Sequence, residues 1–176
     1  MTDTTDPIET PRAPRPRATA ALSLAAALQH ASPGDQSALR RGGAGAHAAF
    51  YKLAAGSLAD VLPRDEGARV IAERDWALVA QIFAQLGPAL LVPSASFGRA
   101  LSAARVAEMR VLRLLRAEGD DLAPLLRHAA HQLGSRAQPV CPTQVADLVL
   151  STDSDGSERI RRRIARDYFA AERAAG

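Results

Sequence analysis

The chain has 176 residues, enough for one compact domain or two small helical lobes that bury roughly 70% of the surface an unfolded chain exposes, so length alone demands no disulfide scaffold. Hydrophobic residues make up 47% and aromatic ones only 4%, with Ala, Leu and Val dominant, which favours an all-α protein. The formal net charge is only +3, yet of the 22 basic residues all but Lys52 are arginine, a residue whose planar fork suits phosphate oxygens.

Residues 1–18 combine Thr, Asp, Pro and Arg with a single Ile and cannot bury enough apolar area to offset the entropy of ordering, so they read as a disordered arm carrying Arg12, Arg15 and Arg17. Acids and prolines also stand there where a secretory signal needs an apolar core. A first helix is predicted over 20–30 with Thr19 as N-cap. Ser32-Pro33-Gly34-Asp35 combines a cap, a proline at the first helical position and an acid, and opens a short helix that ends at Gly42-Gly43 beside Arg40 and Arg41. Residues 46–54 hold Phe50-Tyr51-Lys52-Leu53, read as an aromatic pair anchored in a core. Acids concentrate between Asp60 and Asp75.

Ala72, Trp76, Val79, Phe83 and Leu86 share one face of a helix predicted over 66–86. The segment from Gly87 to Ser94, with Pro88 and Pro93, is then the expected boundary between an N-terminal lobe, 19–93, and a C-terminal lobe, 94–176. A helix is predicted from about Arg105 to Ala117, with Met109, Leu112 and Leu115 as its apolar seam and Arg110, Arg113 and Arg116 on another face. Asp121 is the expected cap of the next helix, whose core face is Leu122, Leu125, Leu126, Ala129 and Leu133. Pro142 opens a short helix buried through Val145, Leu148 and Val149. Asp155-Gly156 is expected to turn the chain into a last helix, with Ile160, Ile164 and Tyr168 inward and Arg159, Arg162, Arg163 and Arg166 outward.

The residues that support catalysis are few. His128 and His131 stand three apart on one helix, but no third metal ligand has a recognisable spacing, and the lone Cys141 can form neither an internal disulfide nor a cysteine-cluster zinc site. Arg41-Gly42-Gly43-Ala44-Gly45 follows a helix rather than a strand and lacks the Lys-Ser/Thr of a phosphate-binding loop. Asp120, Asp121, Asp153 and Asp155 fall where capping explains them, and Ser94 and Ser96 have no histidine at local spacing. No catalytic residue, cofactor or metal is expected. No apolar run reaches the roughly 20 residues of a membrane span, so a cytoplasmic protein without a membrane partner is expected.

Ser96-Phe97-Gly98-Arg99-Ala100-Leu101, followed by Arg105, Glu108, Arg110 and Leu114-Leu115-Arg116-Ala117, resembles the central motif of the CasB family, the small subunit of the type I-E CRISPR surveillance complex Cascade. Ala38-Leu39-Arg40-Arg41, Phe50-Tyr51-Lys52-Leu53 and the stretch from Ile160 to Phe169 agree with that family in order and spacing, so the similarity runs over roughly 32–171. Where relatives carry tryptophans near the C-terminal helices this chain has Leu148, Val149 and Leu150, with Ile164 where an aromatic is common.

The resemblance implies a two-lobed, all-helical, non-catalytic subunit present in two copies. It would lie against the repeated backbone CasC subunit, the large subunit and the second copy, and help to hold guide RNA, target DNA and the displaced strand. With few aromatics to stack on bases, phosphate contacts are expected, first from Arg40, Arg41, Arg99, Arg105, Arg110, Arg113 and Arg116, then from Arg159, Arg162, Arg163 and Arg166. Arg99 and Arg105 have an alternative role in pairing with Glu108 or the backbone subunit. The competing readings are a helix-turn-helix DNA-binding regulator, for which the predicted recognition helix lacks Asn and Gln, and a metal-dependent hydrolase built on His128 and His131.

Overall fold

The computed structural model describes residues 16–151 and 154–175, where the helices run in chain order as α1 (Pro16–His30), α2 (Pro33–Arg41), α3 (Ala44–Ser57), α4 (Glu66–Leu86), α5 (Phe97–Ala103), α6 (Glu108–Arg116), α7 (Leu122–Ser135), α8 (Pro142–Leu150) and α9 (Ser154–Ala175). The all-α expectation holds. Most of the expected Pro/Arg arm, with Arg12 and Arg15, and Asp153 lie outside the described residues.

Several ends follow directly from local chemistry. Ser32 Oγ accepts the Asp35 N–H at 3.0 Å, and Asp65 accepts the Ala68 N–H at 2.8 Å, so two helices start at side chains that satisfy otherwise unpaired donors. Gly42 and Gly87, at φ 73 and 95, end α2 and α4 in a conformation that glycine adopts without a Cβ penalty. Other ends differ from the expectation. Thr19 lies inside α1 rather than at its cap, because Arg17 and Ala18 are good helix formers and Pro16 suits the first helical position. Asp155-Gly156 belongs to the first turn of α9, where the acid complements the helix dipole. Asp121 precedes α7 without a capping hydrogen bond from its side chain, following a 3₁₀ turn at Gly119–Asp121.

The expected helix from Arg105 is interrupted at its start. Arg105 sits at φ 52, just past α5, with its N–H on the Ser102 carbonyl at 2.7 Å and the Val106 N–H on the Leu101 carbonyl at 3.0 Å. This pair of bonds is the glycine-type helix stop, made here with an arginine. Ala137 at φ 51 closes α7 in the same way. The predicted aromatic anchor is also split: Phe50 is buried but Tyr51 is 54% exposed, since successive residues of a helix point in different directions. In α6 the buried side chains are Val111, Leu114 and Leu115, whereas Met109 is 73% exposed. Met109 and Leu112 lie on the arginine side, a choice that spacing alone leaves open because both triplets satisfy helical periodicity.

Helices from both sides of the 87–94 segment share one continuous buried cluster: α4 packs on α7 and α8, and α1 on α8. The segment itself is pinned by a short parallel bridge, with the Val92 N–H on the Val140 carbonyl at 2.9 Å and the Val140 N–H on the Leu90 carbonyl at 2.7 Å. Leu148, Leu150 and Ile164 are all buried and fill the space near the C-terminal helices with aliphatic side chains. No helix among the described residues is long and apolar enough to cross a membrane.

The most extensive helix pairing is α5 on α9. Ser96 Oγ donates to Asp167 Oδ2 at 2.7 Å, the Phe97 N–H donates to Gln144 Oε1 at 2.8 Å, and Gly98 lies directly on the backbone of Ile164 and Tyr168. Buried Tyr168 donates its hydroxyl to the Val106 carbonyl at 2.8 Å, tying α9 to the turn held open by Arg105. Burial first, then Glu172 and Glu108, pushes the Tyr168 phenol above its usual pKa, so it remains a neutral donor. Tyr168→Phe leaves this carbonyl without its phenolic partner and is expected to cost about 1–3 kcal/mol, read as a lower urea midpoint at unchanged helix content.

Candidate nucleic-acid interface

The arginines named from the sequence occupy four places. On α6, Arg110, Arg113 and Arg116 are exposed along one side and line a groove of about 710 Å³ together with Met109, Leu112 and Leu125. Arg113 and Arg116 form no ion pair among the described residues, and Arg110 Nη1 stands 3.3 Å from His128 Nε2. The arginines are thus largely free to meet an outside anion, carried on a helix whose opposite side is buried.

A second groove, about 880 Å³, gathers Arg159, Arg162, Arg163 and Arg166 from α9 with Arg17 from α1. Sequence places Arg17 in the arm, since no local pattern connects residue 17 with a helix more than a hundred positions away. Asp147, Asp155 and Glu158 also line this groove. Arg162 pairs with Glu158, and Arg166 Nε lies 3.8 Å from Asp167 Oδ1, so part of the positive charge is already compensated. Arg161 differs from its neighbours: half-buried, it donates to the Ala117 carbonyl at 2.8 Å and pairs with Glu118 at 3.1 Å, which clamps α9 to the end of α6.

Arg99 on α5 and Arg105 in the following turn are exposed, and neither is paired with Glu108 among the described residues. Arg40 and Arg41 end α2, where cations complement the helix dipole, and both bond within their own helix, Arg40 to the Gln36 carbonyl and Arg41 to Ser37. Lys52 on α3 pairs with Asp35 at 2.8 Å, and with Ser32 it holds that carboxyl below its usual pKa. This links α2 and α3, the helices that carry the segments Ala38–Arg41 and Phe50–Leu53, just as Ser96, Gly98, Asp167 and Tyr168 link α5 and α9.

His128, His131 and Cys141 each have other neighbours. His131 Nδ1 lies 3.3 Å from the Gln85 amide and His128 faces Arg110, while Cys141 is buried with its thiol on the Pro93 carbonyl. Among the described residues no group of three or more His, Cys, Asp or Glu is placed to hold a metal ion.

Residues 35–169 match the family model of CRISPR-associated protein Cse2, also called CasB. The chain belongs to that family. Membership makes it a structural small subunit of the CRISPR Cascade complex, and it brings the four sequence patches that carried the resemblance inside or at the edge of the matched span. Neither the comparison with curated proteins nor that with solved structures gives a match.

Proposed function

We propose that this Cascade small subunit is non-catalytic and holds guide RNA, target DNA and the displaced strand through sequence-independent contacts from arginine to phosphate. In this reading it works in the cytoplasm against the backbone CasC subunit, the large subunit and a second copy. The C-terminal lobe, 94–176, supplies most of the surface and the N-terminal lobe, 19–93, adds Arg40 and Arg41. The observation that carries the reading is the row Arg110, Arg113 and Arg116, exposed on α6 with two of the three unpaired. The row offers guanidinium groups but no amide side chain to read base edges. Exchange of a DNA duplex for an RNA–DNA hybrid is nearly balanced in free energy, so a few phosphate contacts decide whether the opened state persists.

The test is purification of the tagged chain from its own cells. Recovery with the other Cascade proteins and short guide RNAs is the expected result; recovery alone, with no affinity for RNA or DNA at low salt, overturns the proposal. A second reading, a helix-turn-helix regulator, draws on the short turn 104–107 between α5 and α6. That reading requires a footprint by the isolated protein at one DNA sequence, whereas phosphate tracking gives equal binding to unrelated sequences.

A further inference from the structure

Opposite chemistry collects at the start of α4. Residues 64–71 are all exposed, and among them Val70 and Ile71 are each 58% exposed, with Tyr51 of α3 exposed nearby. Branched apolar side chains on a solvated helix surface add neither helix propensity nor solubility, and two of them side by side near an exposed tyrosine leave an apolar spot open to a partner. This end of α4 forms a ridge with a groove on each side. One groove, about 420 Å³, is lined by Tyr51, Val70 and Leu78; the other, about 720 Å³, by Ile71, Leu78 and Leu148.

The ridge is also shaped and charged. Tyr51 donates to Glu73 at 3.0 Å and Arg69 to the same carboxylate at 2.8 Å, which fixes the ring of Tyr51 beside the first groove. Asp60 before α4, Glu66 in its first turn and Asp120 on the groove wall form no ion pair among the described residues. Of the arginines at this end, Arg69 is paired with Glu73 and Arg74 with Asp75, which leaves Arg64 and, on the wall of the first groove, Arg127 against the three unpaired carboxylates, so the balance is negative and favours a cationic protein surface over nucleic acid.

We propose that this ridge is the docking surface for a different protein subunit of the complex, one that presents Lys or Arg around an aliphatic or aromatic side chain. A second copy fits less well. Ridge against ridge sets carboxylates against carboxylates. The chain's own arginine surfaces are, if the nucleic-acid reading above holds, occupied by polyanion; that exclusion alone rests on that reading.

Two variants test the ridge, Val70→Ser with Ile71→Ser, and Glu66→Lys with Asp120→Lys. All four residues are exposed, and the second pair leaves the apolar side chains in place. Each variant is expected to lower recovery of the tagged full chain with the complex by about tenfold or more, while affinity of the free chain for single-stranded oligothymidine is not reduced. A photo-crosslinking residue in place of Val70 is expected to capture a Lys- or Arg-bearing peptide of another subunit. Wild-type recovery of both variants overturns the proposal, as does a crosslink to nucleic acid or to a second copy. Should the serine pair lose helix content, the lysine pair decides. Failure of the nucleic-acid reading shows separately, as wild-type protein that assembles but does not bind the oligonucleotide.

Discussion

Gly98→Ala is expected to destabilise the fold by about 3 kcal/mol or more, the upper end of what overpacking costs. A Cβ at this position meets the Ile164 carbonyl oxygen well inside van der Waals contact, and lies 2.9 Å from both Asp167 Cβ and the Tyr168 nitrogen. Two of these three atoms are backbone of a long helix and cannot swing aside as a flexible side chain does. Relief therefore requires α5 and α9 to separate, which also breaks the Ser96–Asp167 and Tyr168–Val106 hydrogen bonds. Gly56→Ala is the control, because a Cβ there meets nothing within 4 Å and the residue is exposed on α3; helix propensity alone predicts a gain of up to about 1 kcal/mol. Urea unfolding of the two variants beside the parent separates the cases: opposite signs are expected, and a loss under about 1 kcal/mol for Gly98→Ala means that α5 does not sit on α9 as described.

Much of this architecture is legible in the chain itself. The bounds of α4 follow from a regular apolar face that stops at Gly87, to which the structure adds the Asp65 cap, and those of α2 from Ser32, Pro33 and Gly42, where cap and stop agree. Arg105 and Ala137 are illegible because tertiary context places L residues where glycine normally signals a stop. The closeness of α5 to α9 is written only in part: Gly98 is visible as a glycine, but the helix it must touch lies some seventy residues away.

The arginines show the same limit. Helical spacing assigns Arg159, Arg162, Arg163 and Arg166 to the outside of α9, and all four are exposed there. Spacing cannot separate Arg161, which flanks the buried face and turns its two terminal nitrogens to Ala117 and Glu118, nor bring Arg17 to the groove of the other α9 arginines. Residue type gives the chemistry of a surface, while burial and pairing decide which charges remain available to a ligand.

That distinction sets the expected outcome of replacing Arg110, Arg113 and Arg116 together by Ala. The fold is expected to survive, since all three side chains are exposed, Ala is the strongest helix former, and Val111, Leu114 and Leu115 still anchor α6. Formal net charge falls from +3 to zero, and retention of target DNA by the assembled complex is expected to drop about 10- to 100-fold at physiological salt. Every phosphate that no longer meets a guanidinium also lowers the salt slope, by roughly 0.7 for a single strand, so the plot of log K against log salt flattens by up to about 2. The loss is uniform across target sequences, because the arginines grip the sugar-phosphate backbone. Replacing Arg159, Arg162 and Arg166 on α9 is expected to flatten the slope less, since Glu158 and Asp167 already neutralise two of them. An unchanged slope for the α6 variant removes that helix from the interface, whereas equal losses from the two helices show that the ion pairs on α9 open on binding and that local pairing does not set which arginines engage.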